Sequence, residues 1–227
     1  MLQPSLLSYR NRTVIPAGPN GVLLDFDGTV ADTLPGLKRA FTSFLVSKST
    51  SRPSPPFDQF NGLTIQRSME LLAQHHGWSQ DSVSLTLEYT SLTARILENC
   101  LPMAGAAELM SAAHARGVLV AIVSSGSSAP IRSWLHSNSL DSYVAVVVGR
   151  DDAVESKPHP APYLRALSLM ELQCHECLAV EDSLIGAESA LSAGLPTYVL
   201  GGLTRPPAIA VPAMHDVQLV LERLWSL

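Results

Sequence analysis

Gly21-Val22-Leu23-Leu24-Asp25-Phe26-Asp27-Gly28-Thr29-Val30-Ala31-Asp32-Thr33 is the stretch on which the fold turns: an apolar run delivers two aspartates, one residue apart, into a glycine turn. Side chains alternate across an extended chain, so Asp25 and Asp27 share one side while Phe26 points away. Two carboxylates held so close repel one another unless a cation lies between them or one of them takes up a proton. The pair therefore predicts a divalent metal.

Residues 1–20, before this stretch, carry no periodicity and contain Pro4, Pro16 and Pro19, which reads as an irregular lead-in. The first strand is expected over 22–26. After Thr33 the apolar residues Leu34, Leu37, Phe41, Phe44 and Leu45 recur at helical spacing, and the serine- and proline-rich segment 48–56 reads as a loop. Residues 63–76 and 81–98 read as two more helices with Trp78 between them, and 34–100 shows no strand pattern. The economical reading is an all-helical insert.

From Gly105 onward the pattern alternates: a helix to Arg116, strand 118–123, a helix around 131–135, strand 143–148, helix 160–170, strand 178–180, helix 185–193 and strand 197–200. Such alternation demands right-handed crossovers and a parallel sheet covered by helices on both faces. The fold class is thus α/β, a Rossmann-like parallel core with a small all-helical domain, the core from 1–33 and 101–227 and the insert from 34–100. In open sheets of this kind ligands bind at the carboxyl ends of the strands.

Composition agrees with one core plus a smaller insert. The 227 residues are 46% hydrophobic and 15% charged, and a net charge of -5 offers no general attraction for nucleic acid or an anionic membrane. The longest apolar runs, 118–123 and 143–148, are too short to span a bilayer, and the N-terminus lacks an apolar signal core, so the chain reads as cytoplasmic. Cys100, Cys174 and Cys177 make no disulfide framework. Cys174 and Cys177 have the spacing of half a zinc site or a redox pair, but with no second pair the simpler reading is reduced thiols, Cys177 entering a buried strand.

The first strand is succeeded by Asp25 and Asp27, the second by Ser124 and Ser125, the third at a short distance by Lys157, and the fourth by Glu181 and Asp182. Each has a bland alternative. Asp32 suits a helix cap, Ser125-Gly126-Ser127 suits a loop capping the next helix, Lys157 between two prolines suits a solvated loop charge, and Glu181-Asp182-Ser183 suits another cap. Together they are carboxylates for a divalent cation, a hydroxyl with loop amides, and one of only three lysines. That is the inventory for holding a phosphate and neutralising its charge during transfer.

These four segments, in this order and spacing, resemble the motifs of the haloacid dehalogenase-like superfamily of phosphotransferases over roughly residues 21–200. Asp25-Phe26-Asp27-Gly28-Thr29 matches the first, Ser125 the second, Lys157-Pro158 the third, and Val180-Glu181-Asp182-Ser183 with Gly186 the fourth. The resemblance implies that Asp25 attacks phosphorus to form an aspartyl-phosphate and that Asp27 serves the leaving oxygen and then water. It implies Mg²⁺ held by Asp25, the Asp27 carbonyl and Asp182, with Glu181 as a ligand or water holder. Ser125, Gly126 and Lys157 would hold the phosphoryl group, and Thr29 would orient Asp27.

The insert resembles that superfamily's cap, and 32–37 is similar to the start of the cap in phosphoglycolate phosphatase-like members. Arg67, and less so His75 or His76, are candidates to read the substrate. The expected activity is Mg²⁺-dependent hydrolysis of a small phosphorylated metabolite by a monomer or homodimer. A sugar-phosphate mutase of the β-phosphoglucomutase type is the alternative, although the histidine and arginine such relatives carry align with Leu37 and Ile65. A non-catalytic binding or regulatory protein is the third reading.

Overall fold

The computed structural model describes residues 18–50, 52–201 and 207–226, so most of the expected lead-in lies outside the described residues. Its centre is a six-stranded, all-parallel sheet in the order β3-β2-β1-β4-β5-β6. The strands are β1 (Gly21–Leu24), β2 (Leu119–Val123), β3 (Val146–Val148), β4 (Cys177–Glu181), β5 (Thr197–Leu200) and β6 (Ile209–Val211). They are apolar on both sides, as a sheet with two covered faces requires. Val22 and Leu24, Val120 and Ile122, Leu178 and Val180 face one way, against α5 (Ala106–His114), α6 (Ser128–Ser137) and α9 (Met214–Leu224). Leu23, Ala121, Val123 and Ala179 face the other, against α7 (Ala161–Met170) and α8 (Leu184–Ser192).

Between β1 and β2 the chain leaves the sheet for four helices: α1 (Leu34–Ser47), α2 (Ile65–His76), α3 (Ser82–Thr93) and α4 (Ile96–Asn99). They have a core of their own, Phe41, Phe44, Phe60, Met69, Leu72, Leu85 and Tyr89, in which the Phe44 ring meets Tyr89 edge-on at 5.4 Å. This is the expected helical cap. The outgoing and returning chains run side by side, Asp32 donating its N–H to Leu101 O and Met103 to Val30 O.

Most expected elements are present, shifted by a residue or two at their ends. Three differences remain. The 143–148 run is a strand only over its last three residues, because 141–143 forms a 3₁₀ turn that spends the start of the apolar stretch. The 81–98 helix breaks after Thr93, and α4 comes next as a separate turn. β6 and α9 stand where no element was expected; Met214, Val217 and Leu221 do carry a helical repeat and are buried on the sheet. Among the described residues, no helix is long and apolar enough to cross a membrane.

Candidate active site

The strand order places the site. β1 lies between β2 and β4, so the chain winds outward through β3 on one side and then returns to the other side of β1. The crevice at such a reversal opens at the carboxyl ends of the strands. Asp25 follows β1 and ties its N–H to Val180 O at 2.9 Å, and Ser124 follows β2 and ties to Val148 O, so the strand ends are level.

At the bottom of the crevice lies a buried ion network. Lys157 Nζ donates to Asp25 Oδ1 at 2.7 Å, to Glu181 Oε1 at 2.6 Å and to the Val123 carbonyl at 2.9 Å. Its side chain is 0% exposed. Burial alone would lower its pKa, but the charges and hydrogen bonds of Asp25 and Glu181 outweigh that and hold it above the ordinary lysine value. The lysine is a fixed cation. The reading of Lys157 as a solvated loop charge is therefore excluded.

Tyr163, on α7, donates its hydroxyl to the same Glu181 oxygen and lies with its ring 5.2 Å from Lys157 Nζ. Sequence reasoning passed over Tyr163 entirely. Its position three residues beyond Pro160 carries no motif, and only the packing of α7 under β2 and β3 brings it to the network.

Asp182 is turned the other way, toward the crevice, where it accepts from Asn61 Nδ2 at 2.8 Å. It is free to do so because Ser183, not the acids, caps α8, accepting from the Gly186 N–H at 3.0 Å. Burial, and then the charges of Asp25 and Glu181, raise Asp182 well above the usual carboxylate range. Gly28 gives it room: the backbone there has φ +81°, and an added Cβ would collide with the Asp182 carboxylate.

Asp27 opens onto the crevice and accepts from Thr33 Oγ1 at 2.8 Å. Burial and the neighbouring Asp25 raise its pKa to about 6. The expectation that Thr29 orients Asp27 is not met. The Gly28 turn carries Thr29 fully into the interior, where its hydroxyl has no protein partner, and Thr33 takes the task. Thr33 is also the N-cap residue of α1, in place of Asp32, but its hydroxyl is given to Asp27 and not to the helix.

Oxygens of Asp25, Glu181 and Asp182 lie within 4.8 Å of one another. With Asp27 nearby, four carboxylates share one ammonium, and the donor set fits a hard divalent cation. Glu181 contributes least freedom, since one of its oxygens is already taken by Lys157 and Tyr163.

Above these groups the crevice is a cavity of about 430 Å³ between sheet and helices, lined at its floor by Asp25, Asp27, Ser125, Gly126 and Asp182. Ser125 Oγ donates to the Gly62 carbonyl at 2.6 Å, and so links the second strand end to the helical layer. Arg67 is not among the lining residues; it pairs with Glu70 at 3.0 Å on the exposed face of α2. His75 and His76 lie far along the same helix, tied to the Pro53 carbonyl and the Ser54 hydroxyl. Asn61 and Gly62, in the turn before α2, line the cavity, and so does Arg150, to which sequence reading assigned no role.

The chain is similar to known proteins in sequence and in fold. The family model "Haloacid dehalogenase-like hydrolase" matches residues 22–200. A phosphoglycolate phosphatase of Rhodospirillum rubrum is 26% identical over 210 residues, 86% of this chain and 86% of that protein. Hexitol phosphatase A of Escherichia coli is 29% identical over 207 residues, 90% of this chain and 91% of that one. Among solved structures, β-phosphoglucomutase from Clostridium difficile superposes with a TM-score of 0.79 at 15% identity, covering 91% of this chain and 97% of that chain, which speaks to the fold.

Proposed function

Since the chain belongs to the haloacid dehalogenase-like hydrolase family and is a phosphoric monoester hydrolase, we propose that it acts through an aspartyl-phosphate on Asp25 with Mg²⁺ bound beside it. Asp25 attacks phosphorus as the bond to the leaving alcohol breaks, and Asp27 gives that oxygen its proton. A carboxyl raised to about 6 is partly protonated near neutrality, as this role needs. Asp27 then takes a proton from the water that hydrolyses the acyl phosphate, restoring Asp25 and releasing phosphate.

Lys157 balances the charge of nucleophile and phosphoryl group. Ser125 and the Gly126 amide hold the phosphoryl oxygens, the Ser125 hydroxyl leaving Gly62 O to do so. Asp25, Asp182 and the Asp27 carbonyl are the ligands for Mg²⁺, with Glu181 behind them anchoring Lys157. When bound, the ion supplies charge to the phosphoryl oxygens that the lone ammonium does not.

Residues 34–100 serve as the cap over a catalytic core from 1–33 and 101–227, closing on hinges at 33–36 and 101–105 to exclude water. The substrate is a small cytosolic metabolite, met by a monomer or homodimer. The relatives named for phosphoglycolate and hexitol phosphates support a compact ester. The single observation that carries the reading is the meeting of Asp25, Lys157, Glu181 and Asp182, from separate strand ends, within hydrogen-bond or ion reach.

Release of phosphate from p-nitrophenyl phosphate tests it. Turnover should need Mg²⁺ and vanish in Asp25→Asn; turnover that survives either change rejects the mechanism.

A further inference from the structure

The floor of the cavity is charged and its roof is not. The roof is uncharged: Leu37, Phe57, Leu63, Ile65, Ile96 and Leu97 form its apolar part, and the hydroxyls of Ser68, Tyr89, Thr90 and Thr93, from α2 and α3, also line it. Among the described residues that line the cavity, the single cation is Arg150. It stands on the core wall beside the phosphoryl loop, its N–H donating to Gly126 O.

The cap's own cations are directed elsewhere. Lys38 pairs with Asp58, Lys48 with Glu88 and Arg67 with Glu70, Arg52 reaches the His75 carbonyl, and Arg39 and Arg95 are exposed and outside the lining. A second anion carried into the roof would lose its water and find no cation there to replace it. An apolar group would gain by burial. At about 430 Å³ the cavity is at the small end of ligand pockets, enough for a phosphoryl group and one ring or a short chain.

We propose that the substrate is a monophosphate ester whose leaving group is uncharged and largely apolar, an aryl or short aliphatic alcohol, and that esters bearing a second carboxylate or phosphate are rejected. The inference rests on the phosphatase reading above and deepens it.

Steady-state kinetics with Mg²⁺ on two substrate sets decide it. From ethyl to hexyl phosphate, kcat/KM should rise about fourfold per methylene until the cavity is full. Benzyl phosphate should exceed 4-carboxybenzyl phosphate by about 100-fold or more. Ile65→Arg and, independently, Leu37→Lys should narrow that gap about tenfold by raising turnover of the carboxylated ester, a gain that misfolding does not mimic. Arg150→Gln should slow both benzyl esters by one factor.

A flat alkyl series, a carboxylated ester used as well as the neutral one, or a loss in Arg150→Gln confined to the carboxylated ester overturns the inference and leaves the phosphatase standing. If p-nitrophenyl phosphate is hydrolysed with Mg²⁺ and none of these esters is, the inference alone fails; if p-nitrophenyl phosphate is not hydrolysed either, the phosphatase reading fails and the inference with it.

Discussion

The core and the cap of this molecule are built by opposite means. In the core, function sits on the backbone: each charged group follows a strand, the strands are hydrogen-bonded in register, and so Asp25, Lys157, Glu181 and Asp182 meet although 156 residues separate the first from the last. In the cap, function sits on helix faces and a turn, and what reaches the cavity is uncharged and mostly apolar. A sheet fixes position closely enough for chemistry. A helical layer resting on it through a few contacts, among them Asn61 to Asp182 and Ser125 to Gly62, is suited to selecting and enclosing.

The largest effect should come from the core. Asp25→Asn keeps the shape of the side chain but removes the nucleophile, so kcat should drop by about 10⁴-fold or more, while circular dichroism and melting show a folded protein. A smaller loss at Asp25 than at any cap position would reverse the division of labour between the two regions.

Removal of the cation comes next. In metal-free protein Asp27 and Asp182 have raised pKa values, so the folded state binds more protons than the unfolded state above the ordinary carboxylate pKa. The contribution of these two groups to stability then falls as pH rises from about 4 through about 6, where Asp27 titrates. Mg²⁺ at a hundredfold excess over its Kd adds about 2.7 kcal/mol, ~5–10 °C at this chain length. The melting shift on adding Mg²⁺ should therefore be larger at pH 7.5 than at pH 5. Equal shifts at both would mean that the carboxylates do not hold the ion.

The two regions also differed in how far they could be read from sequence. Asp25 and Asp182 were legible because an apolar run followed by a charge implies a strand end, and parallel strands bring their ends together. Lys157, nine residues beyond β3, was legible through the resemblance of its segment. Arg67 was chosen for its charge and proximity to the turn at Gly62, yet which face of α2 meets the cavity depends on how α2 packs on α1 and α3, and that placed Ile65 inward and Arg67 outward. Thr29 and Thr33 were exchanged for a similar reason: a left-handed glycine redirects the chain, and no local rule says which threonine then faces Asp27. The 214–224 helix is a different kind of miss, since its repeat was present in the sequence.

The join between the regions is the next place to press. Gly62 has φ +90°, and an added Cβ would meet Ser183 Oγ at 2.5 Å and Ile185 Cβ at 3.2 Å. Gly62→Val should hold the cap off the core, strain its own turn and displace Asn61 from Asp182. A misplacement of about 1 Å at a site of this kind costs about 100-fold. The loss should appear in kcat/KM for bulky esters more than for methyl phosphate, which needs less of the cap; an equal loss on both would place the damage in the core instead.

The smallest effect is expected at Tyr163, and it tests whether the core's precision reaches beyond the charged groups. The hydroxyl is fully buried and spent on Glu181, the same oxygen that receives Lys157. Tyr163→Phe keeps the ring against Lys157 and removes only that hydrogen bond, so the protein should fold. Glu181 is raised chiefly by burial and secondly by Asp25, while the Tyr163 hydroxyl is among the groups that hold it down. Without the hydroxyl Glu181 binds its proton more tightly, and a protonated Glu181 no longer anchors Lys157 by charge. The acid limb of the kcat profile should therefore move to higher pH, with kcat at its plateau lowered about tenfold, the low end for groups that orient a metal site's ligands, and KM little changed. A merely structural role for Tyr163 would lower the melting temperature and leave the pH profile where it was.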